Sequence, residues 1–344
     1  MKLLIIGGTR FVGRHLVAAA LARGHEVTLF HRGTQSSAAP AGVETIHGDR
    51  NTDLAKLAGR HWDAAIDTCG YLPRSVKAAA ELLADAVARY VFISSQSAYA
   101  DVSVRGVVES SPLGTLTAEQ LDVANRIDSS GYPSYGALYG GLKAACEQTI
   151  EQVMPGRVLI IRPGLIVGPY DYTDRFTYWV VRVARGGEVL APGRPQRPVQ
   201  FIDARDLAEW IASMTERGAA GIYNANRLPQ TMTMRDVLDE CRAVSGSDAS
   251  FTWVSEAFLR DEQVAAWSEL PLWLPEEEAP QLRGFMFVNC DKAAAAGLRV
   301  RPLRETIQDT LSWVQRDLIE PPLKAGLDAA REAVLLRKWH LLSS

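Results

Sequence analysis

Tyr139-Gly140-Gly141-Leu142-Lys143 sets a phenol and an ammonium four residues apart, and on a helix these two positions share one face. The pair can transfer protons. A free tyrosine ionises near pH ~10, so exchanging protons near neutrality means stabilising its phenolate by roughly 4 kcal/mol, and a neighbouring cation works in that direction. Only seven of the 37 basic residues are Lys, which makes a Lys at this spacing informative. Gly140 and Gly141 are poor helix formers, tolerated where something, such as a cofactor or substrate, must pack closely. Upstream, Tyr90-Val-Phe-Ile-Ser94-Ser95-Gln96-Ser97 reads as a buried strand ending in hydroxyls. Ser95 can hydrogen-bond a substrate oxygen while Tyr139 moves its proton. Ser97 is the alternative, because the Ser-Ser-Gln-Ser run admits a shift of register. Taken singly, the Tyr/Lys pair could be a solvated helix face and the serines turn formers.

The element that must position this chemistry lies at the N-terminus. Met1-Lys-Leu-Leu-Ile-Ile6 is a short apolar strand running into Gly7-Gly8-Thr9-Arg10-Phe11-Val12-Gly13 and then an amphipathic helix ending near Arg23-Gly24. This is the layout of a dinucleotide site: Gly7 permits the tight turn, Gly8 and Gly13 keep side chains clear, and helix N–H groups face a pyrophosphate. An oxidised nicotinamide ring beside Tyr139 would also favour phenolate, and the Lys143 ammonium can reach the nicotinamide ribose. Arg10 stands where such motifs usually carry their central glycine.

Further strands are predicted over residues 3–6, 26–30, 43–46, 64–67, 91–94 and 158–162, with Ala/Leu-rich helical stretches such as 75–88 between them. That alternation predicts an α/β fold, a doubly wound parallel Rossmann sheet with ligands at the carboxyl ends of its strands. Pro163, Gly164, Gly168 and Pro169 break the pattern; strand and helix return over 199–214 and a strand over 221–224. The expected organisation is a dinucleotide-binding domain of residues 1–165 completed by 199–226, and a smaller C-terminal α/β substrate lobe of 166–198 and 227–344. The 43 residues between Ser95 and Tyr139 are expected to form a long loop over the site.

Together these pieces resemble the short-chain dehydrogenase/reductase superfamily in its extended branch, the NAD-dependent epimerase/dehydratase family. They are Gly7–Gly13, Gly48-Asp49, Asp67-Thr68-Cys69-Gly70, Ser94-Ser95, Tyr139/Lys143, Arg162-Pro163-Gly164 with Val167-Gly168-Pro169, and Phe201-Ile-Asp-Ala-Arg-Asp206. The Gly-Gly-x-x-x-x-Gly turn is similar to an atypical subgroup loosely grouped with sugar dehydratases, isoflavone-reductase-like proteins and chloroplast RNA-binding proteins. The resemblance implies Ser95, Tyr139 and Lys143 as the catalytic set, with Asp49 beside the adenine and 67–70 over the pyrophosphate. It further implies cofactor contacts from Gly7, Gly8, Thr9, Arg10, Phe11, Val12, Gly13, His31, Arg32, Thr68, Cys69, Gly70, Ser94, Tyr139, Lys143, Pro163, Gly164 and Leu165. The usual helix Asn of the catalytic tetrad is absent from 75–88, so the proton relay is expected to differ.

NAD-selective sites end their second strand in Asp or Glu. Here the strand ends Leu29-Phe30-His31-Arg32-Gly33, and Arg32, joined by Arg10, suits a 2'-phosphate. NADP is the expected cofactor, with NAD as the alternative. Leu165 replaces the Asn of nucleotide-sugar enzymes. Their Arg ahead of the late strand aligns with Val199, with Arg197 two residues away. Gln96-Ser97 replaces the acidic pair of the sugar 4,6-dehydratases. The expected reaction is hydride transfer at a C–OH/C=O centre of a small molecule. A nucleotide-sugar epimerase with tightly bound NAD and a redox-inactive nucleotide or RNA binder are the alternatives. Gln96, Ser97, Arg175, Phe176 and Trp179 are candidate substrate residues, and Arg182 and Arg185 could also meet an anion, although the aromatics of 170–179 could equally pack into the second lobe. Trp267 and Trp273 could form a lid or a plug. Glu276–Glu278 reads as a solvated turn, and the helix around 329–339 as docking on the body or on a second subunit.

Composition bounds these readings. The 344 residues are 47% hydrophobic, enough for a large α/β domain with an added lobe, and a net charge of -3 argues against nucleic acid or anionic membrane as a general partner. The four cysteines form no Cys-x-x-Cys pair and no metal cluster with His; reduced thiols in a cytoplasmic protein are expected. The chain opens on a strand, no apolar run reaches membrane-spanning length, and a homodimer is expected from the resemblance alone.

Overall fold

The computed structural model describes residues 1–34, 40–127, 132–229, 231–275, 279–317 and 323–343. Eleven strands are described: β1 (Lys2–Ile6), β2 (Glu26–His31), β3 (Glu44–His47), β4 (Trp62–Asp67), β5 (Val87–Ile93), β6 (Val158–Pro163), β7 (Leu165–Val167), β8 (Glu188–Pro192), β9 (Phe201–Asp203), β10 (Gly221–Ala225) and β11 (Ser250–Val254). The helices of the first half are α1 (Phe11–Ala22), α2 (Pro73–Leu83), α3 (Ala118–Asn125), α4 (Tyr132–Tyr135) and α5 (Tyr139–Val153). Those of the second half are α6 (Arg175–Ala184), α7 (Ala204–Glu216), α8 (Met234–Ser245), α9 (Glu256–Asp261), α10 (Asp291–Ala295), α11 (Leu303–Arg316) and α12 (Ala329–Ser343).

Seven strands form one parallel sheet in the order β10-β6-β5-β4-β1-β2-β3, with crossover helices on both faces. This is the doubly wound Rossmann arrangement. Alternate residues of each strand feed two cores. Leu3, Ile5, Leu29, Ile66, Val91 and Ile161 meet α1 and α7 on one face; Leu4, Ile6, Phe30, Ala65, Phe92 and Ile160 meet α2 and α5 on the other. Burial on both faces explains why the strands are continuous apolar runs. A third core, from Phe176 and Trp179 through Leu238 and Leu259 to Leu335, belongs to the later segments, where β8 pairs with β11.

Several expectations need correction. Helix α2 ends at Leu83, short of 88, because Val87 opens β5 by pairing with Trp62. The region between Ser95 and Tyr139 is not a plain loop: α3 is started by a capping box in which Thr117 and Gln120 satisfy each other's backbone N–H. None of its described residues from Ala98 to Ile127 lines the cavity described below. Glu109 instead docks on the sheet end, accepting from Arg162 Nη1 through its carbonyl and from Asn224 N through its carboxylate. Helix α12 docks on the body: buried Glu332 pairs with Arg182 and accepts from Leu190 N. Glu276–Glu278 lies outside the described residues. Among the described residues no helix is long and apolar enough to cross a membrane, and no His/Cys/Asp/Glu group could hold a metal.

Candidate active site

A cavity of about 500 Å³ opens at the carboxyl ends of β1, β4, β5 and β6. Its floor is the glycine turn; every residue from Gly7 to Gly13 lines it. Gly7 (φ +100°) and Gly8 (φ +85°) use left-handed backbone, and a methyl on Gly7 would lie 2.3 Å from Thr68 Oγ1. A Cβ on Gly13 would sit 2.7 Å from Gly8 Cα, so the turn closes on α1 only without one. The first turn of α1 carries no acidic residue, leaving its N-terminal N–H groups for an anion.

His31, Arg32 and Asp49 line the far end. The Arg32 guanidinium stands 4.0 Å from the Asp49 carboxylate, half-exposed, just past β2, whose last residues Phe30 and His31 offer no carboxylate. Thr68 and Cys69 line the cavity after β4, whereas Gly70 does not; it contributes its carbonyl, as described below. Beneath this loop lies a group missed from the sequence. Arg50 makes a bidentate pair with the buried Asp67 (2.8 Å to each oxygen), and Tyr90 Oη donates to the same carboxylate. Burial would raise the Asp67 pKa, but the guanidinium outweighs it and holds the carboxyl below its usual range. The available signal was an acidic residue ending the apolar run Ala64-Ala65-Ile66, where a buried carboxylate needs a partner.

Ser94, Ser95, Tyr139 and Lys143 reach the same cavity. The two serines separate by partner. Ser94 Oγ donates to Glu147, which is clamped by Arg162 in a fully buried ion pair (2.6 Å), so this hydroxyl belongs to the joint between α5 and β6. Ser95 Oγ accepts from Ser97 N (3.1 Å), which leaves its own O–H to donate elsewhere. Lys143 is buried and gives two N–H groups to main-chain carbonyls, Gly70 O (2.8 Å) and Ile93 O (2.7 Å). Burial lowers its pKa, while the carbonyls and the Phe92 face, 4.5 Å away, support the cation. Tyr139 packs near Tyr71, their ring centres 6.4 Å apart. Gly140 does admit a close neighbour, but that neighbour is the Ser97 main-chain oxygen, 2.1 Å from where a Cβ would stand, so the glycine allows α5 to meet the turn after Ser95.

The rest of the wall includes Pro163, Gly164, Leu165, Gln96, Ser97, Asp171, Tyr172, Thr173, Arg175, Trp267 and Phe285. Gln96 Nε2 donates to Phe285 O (3.0 Å), tying the serine turn to the segment after the short helical turn Pro280–Leu282 in the C-terminal part of the chain. Trp267 and Phe285 meet edge to face, and the Arg175 guanidinium lies 5.0 Å over the Trp267 ring. Phe176 and Trp179 are corrected: both are fully buried in the second core, and Trp179 Nε1 donates to Pro271 O. Arg182 is spent on Glu332 and on main-chain carbonyls, and Arg185 is not in the wall. Arg197 donates to Leu272 O and Leu274 O, Val199 is core, and Trp273 is buried with its N–H on Glu256.

A sequence profile of the NAD dependent epimerase/dehydratase family matches residues 3–225, and the chain belongs to that family. It is 27% identical over 263 residues to a 2-alkyl-3-oxoalkanoate reductase of Stenotrophomonas maltophilia (strain K279a), covering 72% of this chain and 76% of the relative. It is 25% identical over 241 residues to the chloroplast stem-loop binding protein of 41 kDa b of Arabidopsis thaliana, covering 65% and 58%. The fold is similar to that of human epimerase family protein SDR39U1 solved with NADPH, with a TM-score of 0.57 and 19% identity over 91% of this chain and 99% of that one.

Proposed function

We propose that this protein is an NAD(P)-dependent oxidoreductase that reduces a carbonyl of a small molecule or oxidises the corresponding alcohol. One observation carries the reading: the glycine turn, Ser95, Tyr139 and Lys143 line a single cavity. The residues fit a dinucleotide. Gly7, Gly8 and the bare start of α1 make an anion cradle, and the Arg32 end of β2 suits the 2'-phosphate of NADP. When bound, the nicotinamide supplies or accepts the hydride. Tyr139 gives or takes the proton at the substrate oxygen, Ser95 Oγ–H holds that oxygen, and the Lys143 cation favours the phenolate. With two of its N–H groups on Gly70 and Ile93, Lys143 is fixed in place and has one N–H left for a ribose hydroxyl.

Trp267, Phe285 and Leu165 favour an apolar substrate body, and Arg175 an anionic group. The substrate named for the Stenotrophomonas relative, a 3-oxo acid with an alkyl branch, has both. Leu165 in the wall and Arg197 buried against carbonyls disfavour a nucleotide sugar. The test is titration of the protein with NADPH and NADH, followed by a screen of 3-oxo acids, other carbonyl compounds and sugar nucleotides for NADPH consumption. Micromolar NADPH binding and turnover of a carbonyl compound are expected. No dinucleotide binding, or tightly held NAD recycled unconsumed on a sugar nucleotide, would overturn it.

A further inference from the structure

Four of the six non-glycine residues with left-handed backbone among the described residues stand in or beside the cavity wall: Phe11 (φ +32°), Tyr170 (+69°), Asp174 (+59°) and Trp267 (+68°). Such strain collects where surrounding structure dictates the backbone for function. Tyr170 and Asp174 bracket Asp171, Tyr172 and Thr173, all three of which line the cavity. Asp171 is 1% exposed. Its Oδ1 accepts from Thr173 N (2.9 Å) and Thr173 Oγ1 (2.7 Å), which fixes the carboxylate plane. Its Oδ2 is buried and has no donor in the protein. A buried carboxylate oxygen left unpaired is costly, and neither the fold nor the proposed proton transfer uses it.

The segment is fastened to the start of α1. The His15 ring hydrogen-bonds Pro169 O (3.0 Å), the Arg14 guanidinium lies 3.9 Å over the Tyr170 ring, and Tyr172 meets Phe11 edge-on beneath Arg10. Asp171 therefore stands on the side of the cavity built by the glycine turn. We propose that Asp171 contacts the bound dinucleotide, its Oδ2 accepting a hydrogen bond from a neutral donor, a ribose hydroxyl or the carboxamide N–H. This rests on the reading of the cavity as a dinucleotide site.

The charged and titratable groups around Asp171 are Arg175 and Asp174 at the start of α6, Tyr172 with Arg10 above it, and Lys324, whose Nζ donates to Tyr172 O (2.9 Å). Burial dominates and pushes the Asp171 carboxyl up to about 6, against the Thr173 bonds and the Arg175 charge. A ligand that donates to the ionised carboxylate draws this value down, so binding expels a proton near pH 6, and affinity falls by up to about tenfold per pH unit below it.

The experiment is calorimetric titration of NADPH into wild type and Asp171→Asn, each in two buffers of different ionisation enthalpy, from pH 5 to 7.5. The 2'-phosphate titrates in the same range, but it is present with both proteins and cancels in the difference. Wild type is expected to release roughly half a proton more than the variant at pH 6, and the variant to bind about tenfold more weakly at pH 7.5. Equal proton counts with intact binding would overturn the role of Asp171 alone. Proton uptake relative to the variant would overturn it too, by placing a phosphate oxygen against a protonated carboxyl. Absence of binding to both proteins would remove the dinucleotide reading itself.

Discussion

Gly140→Ala isolates the joint that sets the proposed acid/base geometry. The new methyl would stand 2.1 Å from the Ser97 main-chain oxygen and 3.1 Å from its carbonyl carbon. Contacts under 3.0 Å are essentially never made by a real Cβ, so α5 and the turn must part by about 1 Å. Neither side is a soft side chain. The oxygen belongs to the turn that begins at Ser95, and Gly140 lies between Tyr139 and Lys143. Overpacking costs about 1–3 kcal/mol, and the better helix propensity of Ala returns about 1 kcal/mol, so the variant should fold with a net loss near 0–2 kcal/mol. A displacement of about 1 Å between catalytic groups costs on the order of a hundredfold in rate. The assay is steady-state NADPH consumption on whichever carbonyl compound the screen identifies, beside NADPH affinity and a melting curve. Turnover should fall about a hundredfold while affinity changes little, because the phosphate cradle lies on other elements. Gly141→Ala is the control: its methyl meets Leu116 Cδ2 and Cγ at 2.8 Å, a side chain on a different segment from the Ser95 turn, so it costs packing there and activity should fall far less than in Gly140→Ala. Equal activity in the two variants would refute the packing argument.

Two further outcomes follow from the same geometry. Glu147→Ala leaves Arg162 buried without its counter-charge and frees Ser94, so chemical denaturation should show a loss of about 3–5 kcal/mol; a loss below about 1 kcal/mol would mean that the pair is not the clamp between α5 and β6. Arg32→Ala should weaken NADPH far more than NADH in a fluorescence titration, and equal weakening would remove the 2'-phosphate assignment.

Much of this was legible because parallel strands buried on both faces leave unmistakable apolar runs, and because Gly7, Gly8 and Gly13 answer to backbone geometry that few other residues satisfy. The errors have a common cause: periodicity gives an element but not the direction in which its faces point. Phe176 and Trp179, three apart on one helix, share a face that turns into the second core, while Arg175, one residue earlier, reaches the cavity. Ser94 and Ser95 could not be assigned to separate partners without Glu147, which lies 53 residues from Ser94 and shows its role only once α5 packs on the sheet. Residue type implied that Gly140 accommodated a close neighbour, but only tertiary packing identified it as the Ser97 carbonyl. Helix α3 does leave a signal, the Thr117-x-x-Gln120 box ahead of Leu121, Val123 and Ala124. Asp171 left none, since an acidic residue after Gly-Pro-Tyr usually marks a solvated turn, and its burial depends on the contacts of Tyr170 and Tyr172 with α1.

The central claim is that Tyr139 moves the proton in a cavity whose dinucleotide is held by other groups. Its most direct test is Tyr139→Phe, with NADPH affinity and single-turnover reduction measured on the same preparation. The account predicts affinity within about twofold of wild type and a rate lower by on the order of 10²–10⁴. An unchanged rate, with binding intact, would contradict it.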